Sequence, residues 1–207
     1  MNAYFLQRIN DLREHPKNHL LGQLVATETE DGVLDDEELL SFCRLLLIAG
    51  NETTTGLITA SARIFHENPN TLAELKQKPE LAATFVEEAL RFYSPFSATV
   101  RRTTKDVEIA GQKIAAGQLV VPLIASANRD EQVFTDPDKF KLDRDTNPHL
   151  AMGFGIHFCL GAHLARLEGK IVAEELARRY SNVTLTSPKT ATVGDLGGPK
   201  ELAVVFS

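Results

Sequence analysis

The residues with the most chemistry to offer lie between Met152 and Glu168, in the run Met-Gly-Phe-Gly-Ile-His-Phe-Cys-Leu-Gly-Ala-His-Leu-Ala-Arg-Leu-Glu. A glycine-rich loop here delivers one cysteine, Cys159, to the start of an amphipathic helix. Gly153, Gly155 and Gly161 carry no side chain to block a close approach, and glycine reaches backbone angles that other residues avoid. A helix N-terminus favours negative charge on a sulfur placed there. The pattern therefore suits the presentation of a thiolate to a flat ligand. A lone cysteine is more often a small buried hydrophobe. The glycines spaced around this one shift the balance toward a ligand.

A second constellation, Ala49-Gly50-Asn51-Glu52-Thr53-Thr54-Thr55, falls in the middle of a long apolar segment. Gly and Thr are poor helix formers, so the local hydrogen-bond ladder is weakened there. Gly50 also lets a flat ligand lie close to the backbone. An acid beside a hydroxyl, Glu52 beside Thr53, can pass protons to a bound oxygen species. The alternative is a helix kink with a solvated polar face. The third constellation is Glu88-Ala-Leu-Arg91, an acid and a base three apart on one helical face. Phe85, Leu90, Phe92 and Tyr93 suggest that this helix is largely buried, where a charge pair needs further hydrogen bonds to offset its desolvation.

These groups need elements to hold them. The first half reads helical. Ala3 to Glu14 is amphipathic and stops at His15-Pro16; a shorter helix follows near His19 to Thr27, and a turn is expected at Asp31-Gly32. A long periodic segment, Asp36 to His66, is capped by Asp35 or Asp36, with Glu37 and Glu38 in its first turn. Asn68-Pro69 starts another helix, and Pro79 opens one that reaches Tyr93 and closes at Ser94-Pro95. The pattern then changes. Ala98 to Arg102, Val107 to Ile109 and Gln118 to Val121 read as short strands, with a hairpin turn at Ala110-Gly111. Pro122 to Asn128 suggests a short helix. Arg129 to Leu150 has no clear periodicity, and irregular stretches of that length are usually functional. The cysteine loop and its helix extend to Tyr180, and weak strands follow near Val183 to Thr186 and Leu202 to Phe206. The predicted class is α+β, mainly α-helical, with small β-hairpins packed beside a helical bundle.

Composition narrows the function classes. The 207 residues suffice for one good core or two modest ones. A net charge of −6 and the lack of a basic stripe argue against nucleic acid. No apolar run approaches a membrane span, and the N-terminus has no signal-peptide pattern. The two cysteines, Cys43 and Cys159, imply no disulfide framework, which suits a reducing cytoplasm; Cys43 reads as core packing. His15, His19, His66, His149 and His163 show no metal-ligand spacing and are expected to be solvated or locally hydrogen-bonded.

The run Gly153-x-Gly155-x-His157-x-Cys159-x-Gly161 resembles the haem-binding loop of the cytochromes P-450, the haem-thiolate monooxygenases. The family usually has Phe where this chain has Met152, whose flexible, polarizable side chain can fill the space. The order of elements looks like the C-terminal half of that fold, over residues 1–207. Within it fall a long oxygen-binding helix at about 36–66, a buried Glu-x-x-Arg helix at about 80–93 and the cysteine loop with its helix at about 149–180. Family members are about twice as long. The other half is expected upstream or supplied separately, with self-association as a further possibility.

The resemblance implies roles residue by residue. Cys159 is the iron ligand of haem b, a ligand that favours O–O cleavage. Ala49 and Gly50 line the oxygen-binding groove, Thr53 is the hydroxyl that serves it and Glu52 the acid that feeds it protons. Glu88 and Arg91, completed by Arg144 in the segment Phe140-Lys-Leu-Asp-Arg144, hold the cysteine loop. His157 and Arg101 meet the haem propionates, with Arg102 as the competitor of Arg101. Pro95 to Val100 borders the substrate. The implied activity inserts one oxygen atom from O2 into an apolar C–H bond of a small organic substrate, with electrons from a ferredoxin or flavodoxin. Arg166, Lys170, Arg178 and Arg179 either steer that donor or form an ordinary charged helix face. Two other readings remain, a haem-binding protein without monooxygenase activity and a helical interaction module.

Overall fold

The computed structural model describes residues 1–29, 32–186 and 202–207. Two compact units result, Met1–Glu52 and Thr53–Ser207. Of the expected turn at Asp31-Gly32, Asp31 lies outside the described residues, while Gly32 has a φ of 111° that favours glycine.

In the first unit, α1 (Asn2–Glu14) stops at His15, because the residue before a proline is driven out of the helical region. α2 (Leu20–Val25) is opened by His19, whose Nδ1 accepts from the Gly22 amide at 3.2 Å. β1 (Glu28–Thr29) pairs antiparallel with β2 (Gly32–Val33). The long helix α3 (Asp36–Glu67) starts in this unit. Of its two candidate caps, Asp35 takes the role. Its Oδ1 accepts from the Glu38 amide at 2.8 Å, and Glu38 Oε2 accepts from the Asp35 amide at 2.9 Å. That exchange satisfies two orphan donors at once. Ile9, Leu12, Val25 and Leu39 form the core of this unit. Cys43 is buried on α3, and burial pushes its thiol up against the weaker pull of a backbone hydrogen bond.

In the second unit, α4 (Asn70–Gln77) follows Pro69 directly. The segment expected as one helix from Pro79 begins with a tighter 3-10 turn, Pro79–Leu81, before α5 (Ala82–Phe92). β3 is only Arg101–Arg102, shorter than the strand expected from Ala98. The reason is local: Ser97 O accepts from the Ala125 amide and the Thr99 amide donates to Pro122 O, contacts that precede the strand ladder. β4 (Val107–Ile109) and β5 (Gln112–Ile114) form a hairpin. Its turn residues Ala110 and Gly111 have φ of 48° and 79°, the mirror-image turn that matches strand twist. β3 pairs antiparallel with β6 (Leu119–Val120), and α6 (Ile124–Ala127) follows. The chain then runs without helix or strand to α7 (Ala162–Arg179), apart from a 3-10 turn at Gly155–His157. β7 (Val183–Leu185) pairs antiparallel with β8 (Val204–Phe206).

The described chain is thus mainly helical with two-stranded sheets, an α+β arrangement. α5 sits at the centre of the second unit. Phe85 stacks on Phe65 of α3 with ring centroids 4.8 Å apart, and Val86, Ala89 and Leu90 share the same core. α7 packs on α5 and α3 through Gly169.

Candidate functional site

Helix α7 and the loop before it present Cys159. Gly153 and Gly155 have φ of 76° and 68°, the left-handed region, so the loop folds tightly on itself. The Gly153 amide donates to Leu150 O at 2.9 Å and the Cys159 amide to Met152 O at 2.8 Å. Cys159 accepts in turn through its carbonyl from the Ala162 amide at 3.2 Å, at the first residue of α7. The thiol is exposed. So are the apolar side chains around it: Phe154 is 86% exposed, Ile156 96% and Leu160 70%. A cluster of large exposed apolar groups marks a binding site. Met152 does the opposite and packs into the core of the second unit. No heavy atom beyond the chain neighbours lies within 4 Å of where a Cβ on Gly155 or Gly161 would stand. One soft sulfur donor at a helix N-terminus, ringed by open apolar surface, fits a flat apolar ligand that carries a metal. His157 is exposed beside it, in the 3-10 turn.

The structure brings Glu88, Arg91 and Arg144 together. Arg91 grips both carboxylate oxygens of Glu88, from Nε at 2.8 Å and Nη2 at 2.7 Å. Arg144 does the same from Nε at 2.9 Å and Nη2 at 3.1 Å. The Lys141 amide and Asn147 Nδ2 complete the shell. Arg91, itself fully buried, spends its remaining donors on the carbonyls of Asn128, Pro137 and Lys139. Burial alone raises the Glu88 carboxyl, but hydrogen bonds from Arg91 and Arg144 outweigh it and hold the group below the ordinary range. The irregular stretch from Asn128 to Asn147 is thereby tied to α5 in place of a regular backbone ladder.

Two groups that pattern reasoning passed over reinforce this. Asn128 is fully buried; its Oδ1 accepts from the Leu150 amide at 2.7 Å and its Nδ2 donates to Ser94 Oγ at 2.8 Å. Glu87, next to Glu88, faces a different set of partners. Arg166 of α7 donates to Glu87 Oε1 from Nε at 2.7 Å and to Oε2 from Nη2 at 3.0 Å. His149 Nε2 lies 3.2 Å from Glu87 Oε2. Burial pushes the Glu87 carboxyl up, yet the His149 and Arg166 hydrogen bonds bring it down to about 2. The Glu87 hydrogen bond holds Arg166 above its ordinary value against the opposing effect of burial. Of the two expectations for His149, solvated or locally hydrogen-bonded, the second holds: its Nδ1 accepts from the Ala151 amide at 3.2 Å, and its side chain is only 3% exposed. The available signal was a second glutamate on an otherwise apolar helix, which needs a partner of its own.

The remaining candidates are placed as follows. Ala49, Gly50 and Glu52 are exposed on the part of α3 within the first unit. The helix runs unbroken through all of Ala49 to Thr55 despite their low propensity. Thr53 is half-buried at the start of the second unit, and the next residue, Thr54, donates to Glu168 Oε2 of α7 at 3.1 Å. Pro95 reaches α3 at Gly56, where an added Cβ would stand 3.1 Å from the proline Cβ. Arg101 folds back on the residues before its strand, donating to Thr99 Oγ1 and Val100 O, both at 2.9 Å. Its competitor Arg102 reaches Gly117 O at 2.7 Å, and neighbours on a strand face opposite sides. The basic residues of α7 are paired: Arg166 with Glu87, Lys170 with Glu174, and Arg178 and Arg179 with Glu175.

Comparison with known proteins adds the wider context. A family model described as Cytochrome P450 matches residues 1–196. The chain is 46% identical over 176 residues to Cytochrome P450 109 of Bacillus spizizenii, covering 85% of this chain and 44% of that one. Its fold is similar to CYP109E1 of Bacillus megaterium, solved in complex with testosterone. There the TM-score is 0.91 at 42% identity, over 98% of this chain and 57% of that one. It is also similar to P450BioI, solved with acyl carrier protein ligated to hexadec-9Z-enoic acid. That match has a TM-score of 0.91 at 38% identity, over 99% of this chain and 53% of that one. The chain spans about half the length of the curated relatives it matches.

Proposed function

The chain belongs to the cytochrome P450 family, and we propose that it is the haem-binding C-terminal half of a monooxygenase that places one oxygen atom from O2 into an apolar C–H bond. Bound haem, here haem b, supplies the oxygen and electron chemistry. The protein supplies the rest. Cys159, two residues before the N-cap of α7, holds the iron through its thiolate. Gly153, Gly155 and Gly161 keep the approach to that sulfur clear. His157 and Arg101 neutralise the haem carboxylates. Ala49 and Gly50 leave room on α3 for a diatomic ligand. Thr53 holds a proton at its hydroxyl, and Glu52, exposed on the next-door position, carries protons to it from solvent. Glu88, Arg91 and Arg144 hold the irregular stretch that leads into the loop.

A small apolar substrate is supported by the half-buried segment from Pro95 to Thr99 beside α3. The testosterone and fatty-acyl ligands named for two similar structures are apolar as well. An external ferredoxin or flavodoxin as donor and a cytoplasmic location belong to the same proposal. Among the described residues, no helix is long and apolar enough to cross a membrane.

The observation that carries this reading is the exposed thiol of Cys159 in a loop bent by two left-handed glycines and ringed by exposed apolar side chains. The test is a carbon monoxide difference spectrum of the reduced, haem-loaded chain. The expected result is the strongly red-shifted Soret band of thiolate ligation, lost on Cys159→Ala. A band that survives the substitution removes the ligand assignment, and a flat trace removes haem binding. A second reading, haem binding without turnover, gives the same spectrum. Product formation from NADPH, O2 and a ferredoxin system separates the two.

A further inference from the structure

Two adjacent carboxylates on α5 divide the approach to Cys159 between them. Glu88 is satisfied by Arg91, Arg144, Lys141 and Asn147, all outside the cysteine loop proper. Glu87 has different reach. His149 stands ten residues before Cys159 and Arg166 seven after it, so the loop leaves one partner of Glu87 and returns to the other.

The hydrogen-bond directions are fixed by the backbone. The Ala151 amide donates to His149 Nδ1 at 3.2 Å, so that nitrogen is the acceptor and Nε2 carries the proton. Nε2 then donates to Glu87 Oε2. Arg166 adds two parallel bonds to the same carboxylate, the bidentate geometry that fixes orientation as well as energy. His149 is 3% exposed at its side chain and Arg166 and Glu87 are each about one-third exposed, so the pair is shielded on one side.

We propose that Glu87 is a positioning residue for Cys159. One carboxylate clamps both stems of the loop to α5, and so fixes where the sulfur stands at the head of α7. The significance of that position rests on the haem-thiolate reading above; the clamp itself does not.

Glu87→Gln tests it with little change in shape. The amide keeps one acceptor but turns an NH2 donor, in place of the second acceptor, toward the His149 and Arg166 N–H groups. The measurement is amide hydrogen exchange on the haem-free chain. The peptide from Met152 to Gly161 should exchange about tenfold faster, the scale of a lost charge-assisted hydrogen bond. α4 and the β4–β5 hairpin should be unchanged. Arg166→Gln should give the same loop effect, and the double variant no more than either single one. An unchanged loop peptide, or an equal rise in every peptide, overturns the proposal. On the haem-loaded chain the variant should keep haem while more of its reduced carbon monoxide complex shifts to the blue-shifted, thiol-ligated band. A share equal to wild type also overturns it. If the wild-type chain takes up no haem, the haem-thiolate reading fails, and the exchange data on the haem-free chain still decide the clamp.

Discussion

Gly169 of α7 lies directly against Leu57 of α3: a Cβ on Gly169 would stand 2.8 Å from Leu57 Cδ2 and 3.2 Å from Val86 Cγ2 of α5. Three helices meet at this point, and only a residue without a side chain lets them close to that distance. Leu57 and Val86 are almost completely buried, so either can move only against the core atoms that surround it. Gly169→Ala would gain up to about 1 kcal/mol of helix propensity in isolation. Overpacking of a full core offsets this by about 1–3 kcal/mol. The expected result is a net loss of about 1 kcal/mol in denaturant unfolding, and a stabilised variant would show that α7 does not sit this close.

The Glu88 cluster sets up a sharper contrast. Glu88 is 1% exposed and Arg91 fully buried. Removing one charge leaves the others without compensation, an effect of about 3–5 kcal/mol. Glu88→Gln strands two guanidinium groups at once and should unfold the second unit at moderate denaturant. Arg144→Met leaves Glu88 with Arg91, Lys141 and Asn147 and should be clearly milder. Equal losses in the two variants would show that the cluster is not centred on Glu88.

How far these contacts were legible in the sequence varies by kind. Helices with clear starts and stops were readable, because Asp35 and His15-Pro16 act within one turn of chain. The Ala110-Gly111 turn was readable for the same reason. The Glu88–Arg91 pair follows from helical spacing, whereas Arg144, more than fifty positions away, was placed by resemblance to a family and not by any local rule. Glu87 was passed over because a glutamate beside a glutamate looks like solvated surface. His149 was passed over because nothing near it in sequence announces that an irregular segment will bury it. Asn128 and the Thr54–Glu168 contact were invisible for a related cause: they join elements that only tertiary packing brings together. The strand from Ala98 was over-extended because side-chain pattern cannot show that its first backbone groups pair singly with α6 and its approach.

The Glu87 clamp also predicts a pH dependence. Its carboxyl has an ordinary value of 4.5 and is held at about 2 in the fold. A group lowered in this way stabilises the fold in full above about 4.5, where both states are charged. Between 4.5 and 2 the unfolded chain takes the proton first, so stability falls as pH drops. Below 2 the contribution is gone. Glu88, also lowered, adds a fall of the same sign. Thermal unfolding of Glu87→Gln should therefore lose less stability than wild type between pH 4.5 and pH 2, and parallel curves would assign the acid limb to other carboxylates.

The two left-handed glycines of the loop should respond differently to the same substitution. At Gly155, with a φ of 68°, a Cβ would meet nothing within 4 Å. Gly155→Ala therefore pays only the backbone penalty, about 1–2 kcal/mol. At Gly153, with a φ of 76°, the Cβ would also stand 3.2 Å from His157 O. That oxygen is backbone, two residues from Cys159, and it can move only by dragging the sulfur with it. Gly153→Ala should then be the more destabilising of the two and should alone weaken the thiolate band of the haem-loaded chain. Gly155→Asn should recover most of the loss at that position, because asparagine tolerates the left-handed region. Equal loss of the band in both alanine variants would mean that backbone strain, not displacement of Cys159 through His157, controls the ligand.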